Sequence, residues 1–522
     1  MSAAVDAKTL KSWLHDGREI ALLDVREYGQ YGESHPFFGV PLPFSRLEAD
    51  LPRLVPRRGT RVVVYDDGAL GVAERAAARM AEVGYTDVHT LEGGTRGWRH
   101  AGHTLFAGVN VPSKAFGELV EHERHTPRVS AAELAAMQRA GDDLAVIDGR
   151  PLAEFRKMSI PGAVCCPNGE LAFRIHAMVP SPATRIVVNC AGRTRSIVGA
   201  QTLIDLGIPN PVFALENGTQ GWYLSDFPLE HDARRAYPAV AADTGLATAR
   251  TRARVLAERH GVRFATDAEI EKDLAGTSRT VYLLDVRTPE EYAAGTLPGA
   301  VHAPGGQLLQ ATDQWIAVRN ARVVVFDGEG VRAPVVASWL VRMGHDACVL
   351  ERGISSAIGV PRDPIALPDV PAIDVDAVVT EIGTGEAAVV DVRPSMAYRK
   401  GHVPGSTWAI RPRFGDVMPV ISGKRVVLVA DEPAIGRIAA LELARAGVGS
   451  VTALAGGFAA WRDAGPPVDA TPHVPPDERC IDYLFFVHDR HDGNKEAARR
   501  YLAWETQLLA QLDPLERASY RI

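Results

Sequence analysis

A hydrophobic run ending in Asp-x-Arg occurs four times in this chain, and that recurrence limits the available folds more than any other feature. The runs are ALLDVR (Asp24, Arg26), AVIDGR (Asp148, Arg150), YLLDVR (Asp285, Arg287) and AVVDVR (Asp391, Arg393). Two further signals follow each in unchanging order. One is an Arg leading an apolar run, from Arg61, Arg185, Arg322 and Arg425; the other is a Leu-x-x-Gly segment from Leu91, Leu215, Leu350 and Leu454. Asp24 to Asp66, Asp148 to Cys190 and Asp285 to Asp327 each span 42 residues, and Asp391 to Ala430 spans 39. A period this regular signals repeated structural units.

Short β-branched runs such as IVVN and VVVF lack alternation, which suits strands buried on both faces of a parallel sheet. Each is followed by a helical stretch ending on glycine (Gly84, Gly207, Gly344, Gly447) and then by another strand. The unit is therefore β-α-β, with a mostly parallel sheet flanked by helices. Ser130-Ala-Ala-Glu133 matches a capping box opening a helix. The polar stretch 108–127, the Ala/Arg-rich stretch 234–262 and the Pro-rich stretches 360–372 and 465–476 separate the units. The expected modules are 1–110, 126–236, 262–362 and 372–470, followed by a helical tail at 471–522. In that tail Tyr501, Leu502, Leu508, Leu509 and Leu512 outline an amphipathic helix beginning near Asp492-Gly-Asn, suited to packing across the modules or a partner subunit.

A chain of 522 residues exceeds one core, and a prior of roughly 150 residues per domain agrees with several. A net charge of −7 offers no basic face for nucleic acid. The N-terminal residues carry frequent charges and no signal-like apolar stretch. No apolar run approaches the roughly 18 residues of a membrane span. Five cysteines, an odd and sparse number, argue for a reducing compartment, with the cytoplasm as working assumption.

The joint pattern resembles the rhodanese family. Asp-x-Arg, a Pro-Gly turn (Pro161-Gly162, Pro298-Gly299, Pro404-Gly405), a strand, an active-site loop, a helix and a Gly-Trp segment form that family's order. The first unit departs from it with FFGVPL. The resemblance covers residues 5–470. It implies that the residue closing the central strand accepts sulfane sulfur when it is a cysteine. That residue is Cys190 in the second unit, but Asp66, Asp327 and Ala430 in the others. One unit is thus expected to be catalytic and three inactive, serving as scaffold, entrance walls or docking surfaces.

The loop Cys190-Ala191-Gly192-Arg193-Thr194-Arg195-Ser196 carries the chemistry. A thiol attacks sulfur as its thiolate. Inward-facing loop N–H groups, a helix N-terminus near Ser196, and Arg193 and Arg195 are expected to favour that form and to hold an anionic donor. The resemblance adds Arg174 as a further anion-binding arginine. It implies double displacement: sulfur passes from thiosulfate or a similar small anionic donor to Cys190, then to cyanide, a thiol or a protein acceptor. No metal or organic cofactor is implied. Two alternatives stay open: a persulfide carrier or sensor without turnover, and a phosphatase or arsenate reductase on the same scaffold. The six residues from Cys190 to Arg195 match the sulfurtransferase loop length rather than a phosphatase loop one residue longer. The oligomeric state, a homodimer included, is left open.

Other features have structural readings. Asp148 and Arg150 recur in units lacking the cysteine, so a structural ion pair is expected. Trp222 and Cys348 read as core. Adjacent Cys165 and Cys166 lie in a strand, where at most one can face the site. His488, Asp489, His491 and Asp492 offer metal-ligating atoms without a recognised metal spacing, so a solvated turn is expected.

Overall fold

Every Asp-x-Arg run begins as a central strand, and the strands around it assemble in one order in all four modules. In the second module, Leu144–Asp148 lies between Val164–Cys165 and Arg185–Asn189, and Val212–Leu215 and Arg128–Val129 complete a parallel five-stranded sheet. Numbered by appearance, the strands lie 1-5-4-2-3. The third and fourth modules repeat this order, as do Ala3–Val5, Ile20–Asp24, Val40–Pro41, Val62–Tyr65 and Val88–Leu91 of the first. The computed structural model describes residues 3–238, 245–276, 278–485 and 494–522. His488, Asp489, His491 and Asp492 lie outside the described residues.

Alternating side chains of each buried strand feed two cores. In the second module Val146 and Val187 pack with Leu134, Phe155 and Trp222 on one face. Ile147, Ile186 and Val188 pack with Leu171, Ile175 and Leu203 on the other. This accounts for strand runs that are apolar throughout. The capping box forms as read: Ser130 Oγ accepts from Glu133 N at 3.2 Å, and Glu133 accepts from Ser130 N at 2.7 Å. In the tail the cap is Asn494, whose side chain accepts from Ala497 N at 3.0 Å to open the helix Lys495–Thr506.

The chain divides into two units: residues 1–10, 21–107 and 363–485, and residues 11–20, 108–362 and 486–522. The first holds modules one and four. There Arg411, buried, donates to Glu48 at 2.6 Å and to the Phe44 carbonyl at 2.8 Å. The second holds modules two and three with their connecting helices, residues 11–20 and the tail from residue 486 onward. Its internal seam is a mixed core: Ile197 and Val198 from module two, Val335 and Trp339 from module three, Phe116 and Val120 from the helix Val111–Arg124, and Ala253 and Leu256 from the helix Leu246–Arg259. Polar contacts fix the register, with Trp339 Nε1 donating to Thr202 Oγ1 at 2.9 Å and Arg342 Nη1 to Asp205 at 2.9 Å.

At this seam the helices Asn168–Met178 and Gly305–Gln310 meet backbone to backbone. A Cβ placed on Gly169 would stand 2.6 Å from Gly306 N. Gly169→Ala must push the modules apart, and overpacking of this kind costs about 1–3 kcal/mol. Urea unfolding of the full chain should show that loss relative to wild type.

Candidate active site

The Asp-x-Arg signature forms the same buried ion pair in every module. The arginine Nε donates to the aspartate at 2.9 Å in the first three modules and 3.0 Å in the fourth. The arginine Nη2 also donates to the carbonyl eight residues further along the chain, at Ser34, Met158, Gly295 or Gly401. Because three modules keep the pair without a cysteine, it serves the fold. It ties the strand end to the turn beyond.

The second module carries a further link through an amide side chain. Asn189, fully buried and next to Cys190 in the chain, donates to Asp148 at 2.9 Å and to Thr219 Oγ1 at 3.1 Å. Thr219 in turn donates to the Cys190 carbonyl through Oγ1 at 3.0 Å and its backbone N–H at 2.8 Å. A hydrogen-bonded chain thus runs from Arg150 to the backbone of Cys190. The equivalent of Asn189 is Tyr65, Phe326 or Val429 elsewhere. Sequence reasoning does not single this residue out, although it is legible as a lone polar side chain closing an otherwise apolar strand.

The Leu-x-x-Gly glycine supports the same loop. A Cβ on Gly218 would meet the Cys190 carbonyl oxygen at 2.4 Å, and Gly94, Gly353 and Gly457 stand equally close to the carbonyls of Asp66, Asp327 and Ala430. All four have positive φ. Only glycine permits both the conformation and the approach.

What the loop binds is seen where the cysteine is replaced. In module one the Asp66 carboxylate accepts from the N–H groups of Gly68, Val72 and Ala73, at 2.6–3.2 Å. In module three Asp327 accepts from Gly330, Val331, Arg332 and Ala333, at 2.7–3.2 Å. An anionic group in this position thus satisfies the orphan N–H groups of a helix start. In module two that position holds the Cys190 thiol. The following helix is Thr194–Asp205, starting two residues before the expected Ser196. Ser196 Oγ lies 3.5 Å from Cys190 Sγ and donates to the Arg193 carbonyl at 2.8 Å.

Cys190 is 2% exposed and opens into a cavity of roughly 270 Å³. Its walls come from four sources. Module two supplies the loop Cys190–Arg195 with Arg150, Glu154 and Lys157. Module three supplies Gln307, Gln310 and Gln314. The connecting segment supplies Asn110 and Lys114, and the tail helix supplies Tyr501 and Glu505.

Family comparison decides the relationship. The model of the rhodanese-like domain matches residues 6–101, 130–225, 266–357 and 374–464. The chain belongs to the rhodanese-like family. A crystal structure of thiosulfate sulfurtransferase from Pseudomonas aeruginosa is 41% identical, with 99% of each chain covered and a TM-score of 0.92. SseB of Mycobacterium tuberculosis, whose name marks it as a candidate thiosulfate sulfurtransferase, is 28% identical over 141 residues; the match covers 25% of this chain and 49% of SseB, about half its length. The HTH-type transcriptional regulator Rv0324 of that organism is 27% identical over 216 residues, covering 39% of this chain and 89% of the regulator.

Within this rhodanese-like site the arginines differ from expectation. Both Arg193 and Arg195 border the cavity, but neither holds an unbalanced charge. Arg193 is bonded to Glu118 at 2.6 and 2.8 Å and to Glu121. Arg195 forms a two-point pair with Glu154 at 2.7 and 2.8 Å. Each guanidinium is thus matched by a carboxylate rather than left free. Arg174 is a correction: it pairs with Glu170 at 2.9 Å and stacks on Tyr237, and it is not among the cavity-lining residues. Its carboxylate neighbour four residues earlier on the same helix claims it.

The remaining cysteines are buried. Burial pushes the Cys165 thiol up to about 12 and raises Cys166 and Cys348 as well. Cys348 lies in the module-three core, as read. Cys165 donates to the Arg150 carbonyl at 3.3 Å, and neither it nor Cys166 lines the Cys190 cavity. Iodoacetamide applied to the native protein near pH 7.5 should alkylate Cys190 and leave Cys165, Cys166 and Cys348 unmodified, as peptide mass mapping would show. Asp327→Ala strips the acceptor from four N–H groups and should cost about 1–2 kcal/mol, by the measure of helix caps, in equilibrium unfolding.

Proposed function

We propose that this protein is a sulfurtransferase that moves sulfane sulfur from thiosulfate, or a similarly small anionic donor, through a persulfide on Cys190. One observation carries the reading: a reduced cysteine occupies the position where sister modules hold a carboxylate on the N–H groups of a helix start. A persulfide anion there would meet the same donors. The name of the 41%-identical Pseudomonas aeruginosa relative supports the donor.

The first half-reaction forms a bond from Cys190 Sγ to the outer sulfur of thiosulfate. The donor's S–S bond breaks, and sulfite departs with the bonding pair. The loop N–H groups and the helix dipole hold the sulfur left on Cys190. Ser196 Oγ can turn from the Arg193 carbonyl to donate to the developing anion. Asn189 and Thr219 hold the Cys190 backbone through this exchange. In the second half-reaction an acceptor takes the outer sulfur and restores the thiolate, which gives ping-pong kinetics. A cavity of roughly 270 Å³ suits donors and acceptors of a few heavy atoms. The five cysteines are all free, which suits a reducing cytoplasm.

Thiosulfate-treated wild type should gain one sulfur atom on Cys190 by mass spectrometry and should form thiocyanate from cyanide with turnover. Cys190→Ser should lose both. Asn189→Val, which introduces the residue of module four, should keep the fold and lower kcat by about 10- to 100-fold through misplacement of the sulfur. Turnover that survives in Cys190→Ser would overturn the assignment, and a sulfur adduct without turnover would favour a carrier.

A further inference from the structure

The tail helix Lys495–Thr506 carries a carboxylate into the Cys190 cavity. Glu505 is 2% exposed. Its Oε1 accepts from Lys114 Nζ at 2.9 Å and from Tyr501 OH at 3.3 Å. Its Oε2, equally enclosed, has no hydrogen-bond partner among the described residues. That oxygen lies over the catalytic loop, 2.9 Å from where a Cβ on Gly192 would sit. A buried carboxylate oxygen left open beside a nucleophile calls for a donor brought in from outside.

Charge indicates what kind of donor. Around Glu505 the linked ionic groups are Glu118, Glu121, Glu216 and Glu505 against Arg193, Lys114 and Arg128, an excess of one negative charge. In a separate group Arg150, Arg195 and Lys157 stand with Asp148 and Glu154, an excess of one positive charge. The cavity is therefore polarised. A persulfide on Cys190 would add negative charge beside Glu505.

Resting on the sulfurtransferase reading, we propose that the sulfur acceptor is a small thiol bearing an ammonium group, and that Glu505 Oε2 accepts a hydrogen bond from this ammonium. The cationic group, with Lys157, receives the anionic donor in the preceding half-reaction. The acceptor's thiolate attacks the outer sulfur of the Cys190 persulfide. A new S–S bond forms, the Cys190 S–S bond breaks, and Cys190 leaves as thiolate. The acceptor departs as its persulfide, and no external oxidant or reductant is consumed.

The test uses the full chain loaded with thiosulfate. Second-half-reaction kcat/KM is measured for 2-aminoethanethiol, 2-mercaptoethanol and 3-mercaptopropionate, each corrected for its thiolate fraction. Wild type should favour the aminothiol over 2-mercaptoethanol by about 10-fold, the scale of a hydrogen bond to a charged group, with the carboxylate thiol poorest. Glu505→Gln should bring the aminothiol ratio close to one, whereas Tyr501→Phe, which keeps the carboxylate, should retain the preference. A wild-type ratio near one overturns the proposal even if Glu505→Gln fails to fold, and so does a preference that persists in Glu505→Gln. Absence of any sulfur adduct on Cys190 would instead overturn the sulfurtransferase reading on which this proposal rests.

Discussion

The backbone N–H groups at the start of the helix after the central strand need an acceptor, and each module meets that need differently. Modules one and three supply it from within, through Asp66 and Asp327. Module four begins its helix with Pro433, which has no N–H to satisfy. Module two places a thiol there, whose single sulfur cannot bridge the N–H groups as a carboxylate does. At this position module two thus departs from the arrangements that the other three modules use.

The repeat was legible because its constraints are local. Asp148 and Arg150 close onto each other two residues apart, and Gly218 must lack a side chain to pass the loop carbonyls. Such requirements leave fixed residue types at fixed spacing. Cys190 stood out for the same reason, as the cysteine at the position that closes the repeated strand. The neighbours of the surrounding charges were not legible: Glu118 and Glu121 reach Arg193 from 75 and 72 residues away, and Glu505 reaches Lys114 from 391 away. No short spacing records those contacts, so Arg193 and Arg195 read as free cations. Arg174 has its partner Glu170 four residues earlier on the same helix, a spacing that is legible in the sequence.

Modules two and three also show what an inactive repeat contributes. With Asp327 closing its own loop, module three has no cysteine at that position, yet its Gln307, Gln310 and Gln314 wall the cavity of module two. The tail adds Tyr501 and Glu505 to the opposite part of that lining. A module without the cysteine thus supplies surface to its neighbour.

The pairing of module one with module four has a consequence during synthesis. Glu48, wholly enclosed in the finished protein, meets Arg411 only after 363 further residues have been added. Until then its carboxylate has Arg79 of its own module as partner. Module two finds module three far sooner, with Glu170 and Arg332 separated by 162 residues. On the ribosome the inner pair can close while the outer pair is still waiting for its second half. Module one therefore spends most of translation with a face exposed that the mature protein buries, which makes it the part of the nascent chain most dependent on protection from aggregation.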